Sequence, residues 1–283
     1  MITRLRGAID SATALLTQAG IDSARYDAEE LAAHLAGTQR GRLSMLAPPD
    51  DAFFDRYRAT IAERSRRIPL QHLTGTAAFG PVTLAVGPGV FIPRPETEAM
   101  LEWAMAQRIP KPSTIVDLCT GSGALALGLA RHWPAARVVG VDDSEVALEY
   151  ARKNAVGTTV ELLHADVTGS GVLSDLDGQV DLLVSNPPYV PEGADLEPEV
   201  LDHDPAHAVF GGPDGMAVIT AIVALAARLL RPGGLFAVEH DDTTSSSTVE
   251  LLRATARYED IVARKDLTGR PRFVTARRSG GSS

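Results

Sequence analysis

From about residue 96 onward the chain alternates short aliphatic runs with helical periods, and that alternation admits few folds. A helix of ten or more residues between two strands carries the chain back across a sheet face, so the strands it joins run parallel. The predicted strands are TIVDL (114–118), RVVGV (137–141), VELLH (160–164), DLLVS (181–185) and LFAVEH (235–240). Helical periods fill the intervals: ETEAMLEWAMAQ, ALALGLARHW, SEVALEYARKNA, AVITAIVALAARLL and STVELLRATAR. Near the C-terminus, IVARK and RFVTAR flank only the turn DLTGRP, which is too short for a crossover and predicts an antiparallel pair. Sheets of this kind bind ligands at the carboxyl ends of their strands.

The preceding residues have another character. Residues 1–70 show helical periods and no strand pattern. Ile2, Leu5, Ile9, Ala12, Leu15 and Leu16 share one helical face, with Arg4, Arg6 and Asp10 between them, which is an amphipathic helix and no signal peptide. SARYDAEELAAHLAG, closed by Gly37, and PDDAFFDRYRATIAERSRR, acidic at its start and basic at its end, follow as further helices. Gly and Pro then punctuate short apolar runs over residues 71–92, as in a β-hairpin. This division gives a helical bundle over 1–70, a hairpin linker over 71–95 and an α/β domain over 96–283, with disorder expected only in the terminal SGGSS. A length of 283 residues accommodates such an arrangement.

Charge and cysteine usage narrow the function. Residues 1–74 hold 10 Lys or Arg against 9 Asp or Glu, whereas residues 75–283 hold 17 against 27. So acidic an α/β part repels polyanions and argues against a stable nucleic-acid partner. The cluster of Arg64, Arg66 and Arg67 is expected to be a solvated helix end. No apolar stretch is long enough to span a bilayer. A single cysteine, Cys119, excludes an internal disulfide framework and a cysteine-based metal cluster, and points to a reducing cytoplasm. The seven histidines show no ligand spacing, and His203 and His207, with Pro205 between them, are expected in a loop, so no metal is expected.

Three motifs fall at the predicted strand ends. DLCTGSGALA (117–126) leads from the first parallel strand into a helix, and its glycines allow backbone to approach a ligand closely. Gly121, Gly123 and Ala126 also fit the dinucleotide pattern G-x-G-x-x-G/A, so the pattern alone leaves NAD and S-adenosylmethionine both open. Asp117 faces a pyrophosphate unfavourably but suits a ligand bearing an ammonium and a sulfonium, which tilts the choice to S-adenosylmethionine. Asp142 and Asp166 end the second and third strands, where carboxylates can accept from ribose hydroxyls and an adenine amino group. Asp143 is expected to be exposed and Ser144 to cap the next helix.

SNPPYV (185–190) ends the fourth strand at the same edge. The Asn186 side-chain carbonyl and the Pro187 backbone carbonyl can both accept from one –NH2 group, while Tyr189 packs against the plane of the attached group. Such a cradle suits methylation of a planar, conjugated nitrogen: two acceptors pulling on its N–H bonds favour the pyramidal, positive transition state. An isolated NPPY is as readily a strand terminator, with Asn186 in a left-handed conformation and Pro187 and Pro188 extended.

Together these residues resemble the seven-stranded class I S-adenosylmethionine-dependent methyltransferases (Rossmann-like α/β), and specifically the HemK/PrmC family of protein-(glutamine-N5) methyltransferases. The resemblance runs through RRIPLQHLTGTAAFG (66–80), FIPRPETE (91–98), DLCTGSGALAL, SNPPYV, LEPEVLDHDPAHAVFGGPDGM (196–216) and KDLTGRPRFVTAR (265–277). It implies methylation of the glutamine amide in the Gly-Gly-Gln loop of bacterial peptide chain release factors, in translation termination, by a cytoplasmic monomer whose helical domain grips that protein. It also implies that Asn186 and Pro187 orient the amide, that Pro188 and Tyr189 line its pocket, and that Asp117, Cys119, Thr120, Gly121, Ser122, Gly123, Asp142, Asp166, Val167 and Asn186 hold S-adenosyl-L-methionine, with RPETE bracing the cofactor side. Two departures stand out: Cys119 replaces a usual glycine, and Val167 a larger apolar residue. Rival readings are a nucleobase amino-group methyltransferase (adenine N6 or guanine N2), an NAD-dependent oxidoreductase and a non-catalytic binding module.

Overall fold

A computed structural model describes residues 2–109, 111–266 and 268–280, without the side chains of residues 2 and 3. The side chain of Ile2, Leu267 of the C-terminal turn and residues 281–283 of the terminal tail lie outside the described residues. The chain divides into two compact units: Met1–Thr76 with Leu196–His203, and Ala77–Asp195 with Asp204–Ser283.

The first unit packs helices Ile2–Gln18, Ala24–Leu35 and Asp51–Ser65 around Leu5, Ile9, Leu16, Leu31, Phe53, Tyr57 and Ile61. Leu15, placed on the apolar face by its spacing, is 43% exposed, because Leu16 beside it takes the core position. Asp50 caps the third helix by accepting from the Phe53 amide at 2.8 Å. Arg64 corrects the expectation of a solvated arginine cluster. Its guanidinium is buried, donating to Asp27 at 2.7 Å, to Glu199 at 2.9 Å and to the Ile68 carbonyl at 3.1 Å. Glu199 lies in helix Pro198–His203, so this charge network holds a segment from far along the chain within the helical unit.

The second unit opens with the two-stranded pair β1 (Thr76–Phe79) and β2 (Val82–Ala85), the former preceded by the short helix Leu70–Thr74. Its sheet contains β3 (Thr114–Leu118), β4 (Arg137–Asp142), β5 (Glu161–His164), β6 (Val180–Ser185), β7 (Leu230–Glu239), β8 (Tyr258–Lys265) and β9 (Pro271–Arg278). Their order is β5-β4-β3-β6-β7-β9-β8, parallel from β5 to β7, with β9 antiparallel to both its neighbours. Side chains of the central strands alternate between two cores. Ile115, Leu182 and Val184 face one core, with Met100, Leu101 and Leu129, while Val116, Leu118 and Leu183 face the other, with Ile222, Val223 and Leu229. Among the described residues, no helix is long and apolar enough to cross a membrane.

Removing one member of a buried ion pair leaves the other charge unpaired in a medium that solvates it poorly. Asp27→Ala is therefore expected to destabilise the helical unit by about 3–5 kcal/mol in chemical denaturation, whereas a loss below about 1 kcal/mol would mean that Glu199 alone compensates Arg64.

Candidate active site

Because β3, β4, β5, β6 and β7 are parallel, their carboxyl ends share one edge of the sheet. The loop 119–123 leaves β3 there and enters helix Ala124–His132. Cys119, Gly121 and Gly123 all have positive φ, at 59°, 57° and 89°. Left-handed backbone is cheap for glycine and strained for any side chain with a β-carbon, so Cys119 occupies a conformation that explains the glycine usual at its position. The turn is locked by the Thr120 amide donating to the Val141 carbonyl at 2.9 Å and by the Gly123 amide donating to the Thr120 carbonyl at 2.8 Å.

Asp117 lies beneath this turn, 1% exposed. Its Oδ2 accepts from the Thr120 hydroxyl at 2.6 Å and from the Ala126 amide at 3.0 Å, while Oδ1 has no hydrogen-bond partner. Burial pushes the carboxyl up to about 7 against the pull of those two donors, and nearby Asp142 adds to the rise. Asp142 at the end of β4 accepts from the Gly121 amide (2.8 Å) and the Ser144 amide (3.0 Å), one to each oxygen. Its burial raises its affinity for a proton, and those amides oppose the rise. The Cys119 thiol is driven well above its ordinary value by burial and by Asp142, Asp117 and Asp143, so it is no nucleophile at neutral pH.

The other strand-end residues are arranged less uniformly. Asp166 is exposed, and its Oδ1 accepts from the Thr168 amide at 2.8 Å and hydroxyl at 2.7 Å. Those bonds hold it below the usual carboxylate range. Val167 turns inward and packs with Leu173 and Leu176. Asp143 is exposed, and Ser144 accepts from the Ala147 amide at 3.2 Å as the cap of helix Glu145–Asn154. Asn154 closes that helix and went unnoticed in the sequence. It donates to the Ser122 carbonyl (2.9 Å) and the Ala85 carbonyl (3.0 Å) and accepts from the Ala85 amide (2.7 Å), tying the glycine loop to β2.

Asn186 follows β6, whose last residue, Ser185, donates its hydroxyl to the Leu118 carbonyl at 2.7 Å. The Asn186 amide nitrogen donates to the Thr97 hydroxyl at 3.1 Å. Of the RPETE segment, Thr97 thus contacts the asparagine, and Arg94 forms an ion pair with Asp204. Pro187 is buried, while Pro188 and Tyr189 are half-buried. The Tyr189 hydroxyl donates to Glu239 Oε1 at 2.8 Å. Residues 209–212 clamp the loop from outside: the Val190 amide donates to the Val209 carbonyl at 3.0 Å and the Gly211 amide to the Val190 carbonyl at 2.9 Å. A β-carbon at Gly211 or Gly215 would overlap the carbonyl oxygens of Pro188 or Tyr189, so both positions demand glycine. His203 and His207, expected in a loop, end or occupy the short helices Pro198–His203 and Ala206–Val209. No group of three or more His, Cys, Asp or Glu placed to hold a metal ion occurs among the described residues.

The strand-end edge therefore presents a left-handed glycine turn over a buried acid after β3 and, after the adjacent strand β6, an acceptor-bearing amide beside an aromatic ring. Residues 7–75 match the PrmC N-terminal domain family, and residues 88–203 match the methyltransferase small domain family. Among solved structures, a ribosomal protein L11 methylase from Lactobacillus delbrueckii subsp. bulgaricus covers 70% of this chain and is itself covered over 84%, at 19% identity and TM-score 0.50. The 16S rRNA N2 G1207 methyltransferase of T. thermophilus, in complex with AdoMet and guanosine, covers 72% of this chain and is covered over 49%, at 24% identity and TM-score 0.51. These two share the Rossmann-like methyltransferase fold. A 4-amino-L-phenylalanine/4-methylamino-L-phenylalanine methyltransferase of Streptomyces pristinaespiralis is 41% identical, over 92% of this chain and 91% of its own. The release factor glutamine methyltransferase of Mycobacterium tuberculosis (strain ATCC 25618 / H37Rv) is 66% identical, over 98% of this chain and 92% of its own, and that of Streptomyces coelicolor is 47% identical, over 96% and 97%. With family matches in both units and such identity along nearly its whole length, the chain belongs to the release factor glutamine methyltransferase family.

Proposed function

We propose that this protein, as a cytoplasmic monomer, transfers a methyl group from S-adenosyl-L-methionine to the side-chain amide nitrogen of the glutamine in the Gly-Gly-Gln loop of bacterial peptide chain release factors. The observation that carries this reading is the bond from the Asn186 nitrogen to Thr97. With its –NH2 turned to Thr97, the side chain offers its carbonyl oxygen elsewhere, and the Pro187 carbonyl is the second acceptor in the same turn.

The residues present fit the cofactor. Asp117 Oδ1 and Ser122 Oγ are buried without hydrogen-bond partners, and a β-carbon at Gly121 would meet nothing within 4 Å, which leaves room for a ligand against the turn. In this reading residues 119–123, Asp142, Asp166 and the backbone amide of Val167 surround the adenosine, and Asp117 answers the ammonium of the methionine end. Bound there, the cofactor would supply an electrophilic methyl group on a sulfonium.

The chain's own part is then orientation. Asn186 Oδ1 and the Pro187 carbonyl accept both N–H bonds of the carboxamide, which fixes its plane and pulls electron density back to nitrogen as the new bond forms. Tyr189, with Pro188, covers the plane of the amide. No side chain has to act as base, since an N-alkylated amide nitrogen is strongly acidic and yields its proton to water. Residues 1–70 supply the grip on the release factor, and the acidic α/β domain leaves nucleic acid outside this reading.

An arylamine is also a planar conjugated nitrogen, and one relative carries such a substrate in its name. Labelled methyl is expected on a release factor whose loop carries Gln and not on one carrying Ala, with no label on RNA, DNA or 4-aminophenylalanine. Asn186→Ala is expected to lower the transfer rate by about 10²–10³-fold. Label on the arylamine or a nucleobase alone would replace the proposed substrate.

Cofactor affinity should also depend on pH. A neutral Asp117 attracts an ammonium less than its carboxylate does, so affinity should fall as pH drops below the free protein's value of about 7. Calorimetry should find that Asp117→Asn weakens binding by about tenfold at high pH and flattens this dependence.

A further inference from the structure

Glu239 is the last residue of β7, and its neighbour Val238 stands in register with Ser185 of β6, so Glu239 lies alongside Asn186. It is 1% exposed. An acid buried this deeply at the reacting edge of the sheet is costly unless its oxygens serve a purpose. Oε1 accepts from the Tyr189 hydroxyl at 2.8 Å. Oε2 has no hydrogen-bond partner, and Thr97 is the side chain that most opposes the rise that burial causes in Glu239. Thr97 in turn accepts from the Asn186 nitrogen at 3.1 Å. The proposed cradle therefore has one carboxylate behind both its amide and its ring.

Building on the glutamine-methylation reading, we propose that Glu239 is a positioning residue: through Thr97 it sets which end of the Asn186 amide faces the substrate, and through Tyr189 it holds the ring. The argument is one of proton counting. A threonine hydroxyl has one proton to give. In the proposed arrangement a Glu239 carboxylate draws that proton toward itself, so Thr97 can only accept from Asn186, and Asn186 must present –NH2 to Thr97 and its oxygen to the substrate. When Glu239 carries a proton on Oε2, the direction reverses. Glu239 then donates to Thr97, Thr97 donates to Asn186, and the amide turns over. An –NH2 group now meets the substrate's own –NH2 group, two donors with no acceptor between them.

The groups facing Glu239 from the packed elements are Tyr189, Thr97, Glu96 and Arg272, with Asp266 paired to Arg272 at 3.5 Å and His240 next along the strand. Burial pushes Glu239 up to about 7, against the pull of Thr97, Tyr189 and Arg272. Tyr189 is driven well above its ordinary value, by burial first and by Glu239, so it stays a donor. His240, lowered by burial, is neutral at neutral pH. Of Glu239, Tyr189 and His240, only Glu239 changes charge across the switch.

The chain contains two asparagines, Asn154 and Asn186, which makes the test direct. In the full chain labelled with ¹⁵N-asparagine, the Asn186 side-chain –NH2 resonances, assigned by their loss in Asn186→Ala, are followed from about pH 5.5 to about pH 8.5. They are expected to shift with one midpoint near 7. The Asn154 resonances should stay unmoved, and the Asn186 shift should vanish in Glu239→Gln. In parallel, kcat for labelled methyl transfer at saturating cofactor and release factor should rise with pH through the same midpoint. Glu239→Gln should lower it by about tenfold and abolish the step, with the cofactor Kd unchanged. Thr97→Ser should keep both the rate and the step, and Thr97→Val should lose both. Asn186 resonances that ignore pH, or that titrate equally in Glu239→Gln, overturn the proposal. A wild-type chain that shows the resonance shift yet methylates no release factor would overturn the substrate instead and leave the positioning role standing.

Discussion

The constraint on which the rest of the structure depends is the parallel pairing of β3 with β4 on one side and β6 on the other. Asp117 and Leu118 of β3 lie in register with Gly140 and Val141 of β4 and with Val184 and Ser185 of β6. That register brings the glycine turn after Leu118, the acid Asp142 and the Asn186 loop out of the sheet at one level. A slip of one residue along β6 would exchange its inward and outward side chains and withdraw Asn186 from Thr97. Two cores guard against such a slip, since adjacent residues such as Leu182 and Leu183 are each fully buried, one in each. Neither could move to the other face without losing a matched hydrophobic environment.

The buried acids show how the two ends of the same strands serve different ends. Asp181 sits near the start of β6, where its oxygens accept from Arg231 (2.6 Å), from the Ser113 amide (2.7 Å) and hydroxyl (2.9 Å), and from the Thr114 amide (3.0 Å). Burial works against its charge, but Arg231 and these other donors outweigh burial and hold it below its ordinary value, as expected of a carboxylate whose acceptors are all answered. Asp117 and Glu239, at the carboxyl ends of β3 and β7, each keep one oxygen without a hydrogen bond, and each is pushed up to about 7. The contrast is the physical mark of a site. Unanswered acceptors cost folding energy, and they cluster at the edge where the topology allows a ligand to enter.

The strands, the helices between them and the antiparallel C-terminal pair were legible in the sequence because each is announced by local periodicity and by Gly or Pro punctuation. The glycine turn and the NPPY motif were legible for the same reason. What local pattern hides is contact at long sequence separation. Thr97 reads as the first turn of a helix after Pro95, yet it bonds to a residue 89 positions away. Arg64 reads as the basic end of a helix, yet Glu199, 135 positions on, helps to bury it. Glu239 passes for the polar end of an apolar strand, because nothing in VEH says that Tyr189 approaches from 50 residues before. Short helices such as Arg40–Met45 and Leu70–Thr74 span too few residues for a period to emerge.

Cys119 connects the local and the global. Its positive φ belongs to a turn that keeps its shape because Thr120 reaches both the Val141 carbonyl and Asp117, and because Gly140 leaves space for the Thr120 side chain. A cysteine in that conformation is strained by roughly 1–2 kcal/mol relative to glycine, so the surrounding bonds must over-determine the turn. The same enclosure leaves its thiol protonated amid three acids, where an exposed cysteine at a ligand site would invite oxidation or alkylation. A side chain can thus replace the usual glycine here only because the turn beneath it is fastened at both ends. Its rigidity is what keeps the loop's amides and the Asp117 oxygen in place irrespective of the residue at position 119.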